Sequence, residues 1–200
     1  MNTQPALLVI DVQQLYCTPE AKLFIDDYED VIANINQLIV EFHRRHLPII
    51  YVKHSFLSDG SDSGRMWNFT GIVKPSGFIA GTPAVEYADS LMLVSERIEI
   101  TKNRYSCFKG TTLKTMLESL RVDTVVVTGF MTNFCCETTT REAHDLDYYA
   151  FFISDATSCP KTVNGVSRKH IKEAVHATMG AGFAVVNSTD EYLHSFRQTF

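Results

Sequence analysis

An α/β fold on a mostly parallel sheet is the class this sequence predicts, and three observations lead to it. The uninterrupted apolar run at 6–10 suits a strand buried on both faces, and 124–128 reads as another strand. Segments with apolar residues at helical spacing lie between such runs. The two patterns alternate along 200 residues, enough for one core, with helices expected on both faces of the sheet.

The elements follow in order. Ala6-Leu7-Leu8-Val9-Ile10 is the first strand and ends in Asp11-Val12-Gln13. Over 30–46, Val31, Ile32, Ile35, Leu38, Ile39 and Phe42 recur on one helical face, and Pro48 cannot continue that helix. Ile49-Ile50-Tyr51-Val52 makes a second strand, and 94–100 alternates as a short third. A helix over 111–120 precedes the strand 124–128. A helix from about 133 to 146 precedes the strand 149–153. A helix over 167–179 precedes the strand 183–186, and a short last helix begins near Asp190.

The stretch 54–96 breaks this rhythm. It carries Gly60-Ser61-Asp62-Ser63-Gly64, Pro75-Ser76-Gly77 and Gly81-Thr82-Pro83 with little periodicity, while Trp67, Phe69 and Phe78 supply apolar surface. Long loops inside compact domains are usually functional, so this excursion is expected to cover a substrate. Residues 1–200 are accordingly read as a single domain with one loop-rich excursion.

Composition narrows the function classes. The chain is 45% hydrophobic and 20% charged, with a formal charge of −5. Basic pairs no longer than Arg44-Arg45 and Arg168-Lys169 give no footprint for nucleic acid or an anionic membrane. The run 6–10 is too short for a signal core or a membrane span. Five cysteines, two of them adjacent at Cys135-Cys136, suit neither a disulfide framework nor a CxxC zinc site. Reduced thiols and a cytoplasmic location are the expectation.

Open parallel sheets bind ligands at the carboxyl ends of their strands. Asp11 follows the first strand, Lys102 follows the third, and Cys135 lies just after 124–128 at the start of the next helix, where Thr132 or Asn133 could cap. A helix N-terminus and a nearby ammonium both favour thiolate over thiol. A carboxylate close by could take the thiol proton and return it to a leaving amine, and free N–H groups could hold an oxyanion. Each residue also has a plainer reading. Buried cysteines are mostly inert, an aspartate after a strand often caps a turn, and a lysine there is usually solvated.

Three ordered segments extend the pattern. Ala6 to Gln13, Lys102-Asn103-Arg104-Tyr105-Ser106-Cys107-Phe108, and Val125-Val126-Val127-Thr128-Gly129-Phe130-Met131-Thr132-Asn133-Phe134-Cys135-Cys136-Glu137-Thr138-Thr139-Thr140-Arg141-Glu142-Ala143 together resemble the isochorismatase-like cysteine hydrolases. That family includes nicotinamidases and N-carbamoyl amidohydrolases. Ser154-Asp155-Ala156 and His176 with Gly180 to Phe183 resemble its later landmarks. The resemblance implies a three-layer α/β/α fold with a six-stranded sheet, and a homodimer or homotetramer. It implies Cys135 as nucleophile, Asp11 as general base and acid, and Lys102 as the residue that holds Asp11. It also implies a non-proline cis peptide at Phe130–Met131, with the Met131 and Cys135 backbone N–H groups as oxyanion hole. Thr-Asn-x-Cys register selects Cys135, and Cys136 would point about 100° away around a helix, into packing. Gln13, Tyr16, His54, Trp67 and Tyr105 are candidate contacts to a small amide-like substrate. Cys17 and Cys107 could line the pocket.

Two departures refine the expectation. Metal-binding nicotinamidases carry Asp-x-His after the second strand, whereas this chain reads Tyr51-Val52-Lys53-His54-Ser55. A lone histidine is a weak ligand set, so neither metal nor other cofactor is expected, and His54 is read as a pocket or substrate-bonding residue. Isochorismatases that cleave a vinyl ether generally lack the cysteine, so Cys135 favours amide or carbamoyl C–N cleavage. Vinyl ether hydrolysis and non-catalytic binding on the same fold are the competing readings.

Overall fold

The computed structural model describes residues 4–66 and 77–199. Six strands form one sheet in the order β3-β2-β1-β4-β5-β8, every neighbouring pair parallel. They are β1 (Pro5–Ile10), β2 (Ile49–His54), β3 (Ile98–Lys102), β4 (Thr124–Phe130), β5 (Tyr149–Ser158) and β8 (Val185–Asn187). The short strands β6 (Thr162–Val163) and β7 (Val166–Ser167) pair antiparallel in a hairpin before α5 (Arg168–Gly182). The remaining helices are α1 (Gln14–Cys17), α2 (Tyr28–Arg44), α3 (Leu113–Ser119), α4 (Glu137–Asp145) and α6 (Thr189–Thr199).

Successive residues of β1 serve the two faces of the sheet. Leu7 and Val9 join Ile35, Leu38 and Phe42 of α2 and Tyr192 and Phe196 of α6 in one core. Ala6, Leu8 and Ile10 join Leu113 and Leu117 of α3, Ala143 of α4 and Val175 and Met179 of α5 in the other. All six residues of β1 and all seven of β4 are buried, which is why neither shows the polar alternation of a half-exposed strand. The result is the three-layer α/β/α fold, with a sheet that is wholly rather than mostly parallel.

Boundaries move where local pattern and tertiary pairing disagree. The third strand begins at Ile98 rather than 94, because Val94 is buried in the α2-side core ahead of the strand. The fifth continues to Ser158, pairing beyond a register shift with Gly129 and Phe130 of β4. Among the described residues no helix is long and apolar enough to cross a membrane.

Candidate active site

Strand order reverses between β2-β1 and β1-β4, which opens a crevice at the carboxyl end of the sheet. Register delivers the candidate residues there. Ile10 pairs with Gly129 and with Val52, and His54 pairs with Lys102. Gly129 has φ +111°, and a Cβ there would fall on the Ile10 carbonyl oxygen, so only glycine lets β4 pass so close to β1. Asp11 itself is left-handed at φ 53°, a conformation Asp tolerates better than most residues. After β4, the Phe130–Met131 peptide is cis and Thr132–Cys136 forms a π-helical turn leading into α4. Thr132 caps nothing with its side chain, and its hydroxyl instead bonds Thr157 at 3.1 Å.

Asp11, Lys102 and Cys135 meet in this crevice, all three buried. The Lys102 Nζ lies 2.7 Å from Asp11 Oδ2 and donates to Cys135 Sγ at 3.2 Å and to the Arg104 carbonyl at 3.0 Å. Burial works to lower the Lys102 pKa, but the facing Asp11, Cys135 and Cys107 outweigh it and raise it, so the ammonium stays charged. Burial raises Asp11, with Lys102 opposing. Burial also pushes the Cys135 thiol well up, opposed by Lys102 and reinforced by Asp11.

This corrects the sequence expectation of a depressed thiol. The sulfur is almost fully enclosed, and that burial, with the carboxylate beside it, acts against the ammonium. One ammonium thus faces two acids, Asp11 and Cys135, and burial raises both of them.

His54 is 2% exposed, and neither ring nitrogen has a hydrogen-bond partner among the described residues. Its Nδ1 lies 3.9 Å from Asp11 Oδ2. Burial, then the charges of Lys102 and Arg104, hold its pKa well below the usual value, so the imidazole is neutral. Asp11, His54 and Cys135 present ligand atoms within 4.8 Å of one another. They do not fit a resident metal ion, because Lys102 already bonds two of the three. A dication roughly 4 Å from that ammonium would meet about 8 kcal/mol of repulsion at an effective dielectric near 20.

The other candidate contacts divide. Tyr16 is buried, packs on Phe130 and Phe78 at 5.4 and 6.3 Å, and has its pKa raised by burial, then by Cys135 and Asp11 beside it. Tyr105 packs on Phe134 at 5.4 Å, and burial, then Cys135, raises it. Gln13 does something else. Its Nε2 donates to the carbonyls of His54 (3.1 Å) and Val85 (2.8 Å), and its Oε1 accepts from the His54 N–H at 2.9 Å. That amide clasps β2 to the returning loop, a role its side chain fills with backbone partners. Trp67 lies outside the described residues. Cys136 is buried and turned to the Thr128 carbonyl at 3.9 Å, while Cys17 and Cys107 are also buried thiols.

Sequence reasoning missed Phe78, whose ring lies 4.7 Å from that of His54. Its only signal was an aromatic residue in a Gly-rich loop. A cavity of about 270 Å³ beside the crevice is lined by Phe56, Asp62, Ala80, Lys102 and Asn103 among others. A larger one of about 1220 Å³ touches Pro5, Thr124 and Tyr149, the first residues of their strands, and so lies at the opposite end of the sheet.

A family model described as the isochorismatase domain matches residues 5–191. The chain belongs to the isochorismatase family. It is 31% identical to nicotinamidase 3 of Arabidopsis thaliana over 191 residues, covering 95% of this chain and 87% of that one. It is 25% identical to the ureidoacrylate amidohydrolase RutB of Variovorax paradoxus, covering 96% and 81%. A crystal structure of a cysteine hydrolase from Pseudomonas syringae pv. phaseolicola matches with TM-score 0.89 and 30% identity over 98% of this chain and 94% of that one. This isochorismatase-family chain is therefore a hydrolase.

Proposed function

We propose that this hydrolase cleaves the C–N bond of a small amide or carbamoyl compound through a thioester on Cys135, without a metal. The observation that carries the reading is the buried Lys102 ammonium, 2.7 Å from Asp11 Oδ2 and 3.2 Å from Cys135 Sγ. The names of two relatives, nicotinamidase and ureidoacrylate amidohydrolase, support amide chemistry.

The protonation pattern sets the steps. Asp11 takes the Cys135 proton as sulfur attacks the substrate carbonyl, so thiolate forms only where the new C–S bond consumes it. The Met131 and Cys135 backbone N–H groups serve as donors to the tetrahedral oxyanion. Protonated Asp11 then gives its proton to the departing nitrogen, the C–N bond breaks, and ammonia or an amine leaves. Water attacks the thioester with Asp11 as base, and collapse restores the thiol and releases the acid. Lys102 keeps Asp11 ionised at the start of each half-reaction. His54, Tyr16 and Tyr105 form the walls that orient the substrate.

Ammonia release from a panel of small amides, ureas and carbamoyl compounds tests this, beside Cys135→Ala and with chelator present. Turnover that vanishes in the variant and ignores chelator is expected. Pyruvate release from isochorismate that survives Cys135→Ala would replace the thioester with vinyl ether hydrolysis.

A further inference from the structure

Backbone and ring of His54, the last residue of β2, are both held in place. Gln13 clasps the backbone, accepting from the His54 N–H at 2.9 Å and donating to its carbonyl at 3.1 Å. The imidazole packs against the rings of Phe56 and Phe78, with centroids 4.9 and 4.7 Å away. It is 2% exposed, yet neither ring nitrogen has a hydrogen-bond partner among the described residues. Buried polar groups are nearly always bonded, so a side chain seated this firmly without a partner points to a ligand.

The imidazole sits among the reacting groups. Nδ1 lies 3.9 Å from Asp11 Oδ2, too far for a direct hydrogen bond and a span that one bridging oxygen covers. A ring nitrogen of His54, a carboxylate oxygen of Asp11 and the Cys135 sulfur all lie within 4.8 Å of one another. Lys102 bonds the oxygen and the sulfur but not the imidazole. An atom that bonds His54 and Asp11 together is therefore next to a carbon carried on the sulfur. A neutral imidazole has one N–H and one lone pair, so it accepts a hydrogen, which a protonated one cannot do. Burial, then the charges of Lys102 and Arg104, keep His54 in that form.

We propose that His54 is a catalytic residue of the second half-reaction, holding the water that hydrolyses the thioester between its Nδ1 and Asp11. The inference rests on the thioester reading and assigns a step which that reading leaves to Asp11 alone. Water donates one hydrogen to the His54 lone pair and the other to Asp11, which leaves an oxygen lone pair for the acyl carbon. The C–O bond forms as Asp11 takes its proton. The C–S bond then breaks with its electron pair on sulfur, and Asp11 returns the proton there. Acylation depends less on His54, because the departing nitrogen is already tied to the carbon, whereas water must be captured and turned.

An amide that the wild type turns over tests it, with the acyl adduct on Cys135 followed by rapid quenching and mass spectrometry. His54→Phe keeps an aromatic ring beside Phe56 and Phe78 and removes both nitrogens. We expect decay of its adduct, followed after the amide is diluted away, to slow by roughly 10²-fold. The adduct should build up, and kcat should fall while kcat/KM, which reports acylation, stays within a few-fold of wild type. Hydroxylamine, a stronger nucleophile that needs less placement than water, should divert a larger share of the adduct to hydroxamate. His54→Asn keeps a hydrogen-bonding atom near the Nδ1 position and should retain part of the decay rate. Circular dichroism of both variants checks that they fold. Unchanged adduct decay in a folded His54→Phe enzyme would overturn the proposal. So would equal losses in kcat and kcat/KM with no build-up of adduct, which is how a mere wall of the pocket would behave. Amide turnover with no adduct on Cys135 would instead sink the thioester reading beneath it.

Discussion

Replacing Lys102 with Met keeps the length of the stem and removes the ammonium. At 2.7 Å from Asp11 Oδ2, a unit charge pair attracts by about 6 kcal/mol at an effective dielectric near 20. Desolvation offsets part of that, and removing one partner of a buried pair typically costs about 3–5 kcal/mol. Asp11 is left buried with its main opposing charge gone, so its pKa, already raised by burial, rises further. Cys135 moves the same way, since Lys102 is what opposes its burial. The base is then protonated at neutral pH. We expect kcat/KM at pH 7 to fall by roughly 10²- to 10⁴-fold, each 1.4 kcal/mol being a decade. The acid limb of the pH profile should shift upward. Ammonia release measured as a function of pH reads both effects, and urea unfolding reads the stability. Adding Asp11→Asn should restore part of the lost stability, because a neutral amide removes the cost of taking up a proton to bury the unpaired acid. A Lys102→Met enzyme with wild-type kcat/KM and an unmoved acid limb would refute this electrostatic reasoning.

Three further outcomes follow from the packing. Gly129→Ala should lower stability by more than about 3 kcal/mol or prevent folding, since the added methyl meets the Ile10 carbonyl at a left-handed φ; urea denaturation checks it. Glu41 is held at about 2 by its bond from Arg44, with Arg45 adding, against an unfolded value of 4.5. Its stabilisation is therefore complete above about pH 4.5 and lost as pH falls toward about 2, and Glu41→Gln should cost about 1–2 kcal/mol at neutral pH and flatten that acid loss in thermal unfolding. Cys136→Ala should retain amide turnover, because that thiol faces the Thr128 carbonyl and not the crevice; loss of turnover without loss of fold would reopen the choice of nucleophile.

What the sequence revealed and what it hid have physical causes. Strands β1 and β4 are buried on both faces, so their composition alone marks them. Asp11, Lys102 and Cys135 lie at strand ends, where chain order already implies a shared edge. Gln13 is a pocket candidate by sequence, but its side-chain partners are the backbones of His54 and Val85, 41 and 72 residues away. The thiol shift depends on enclosure by several segments at once, which no local window contains. Arg104 lay inside the Lys102 segment and Gly64 inside a glycine-rich loop. Only the fold joins them, since the guanidinium occupies the space that the missing Cβ leaves.

Acyl transfer to Cys135 is tested most directly by rapid quenching of the enzyme with an amide it turns over, followed by peptide mass spectrometry. We expect an acyl adduct that fragmentation assigns to Cys135 rather than Cys136, forming and decaying at rates consistent with kcat. Turnover that continues in Cys135→Ala, or an adduct on any other residue, would contradict the thioester mechanism.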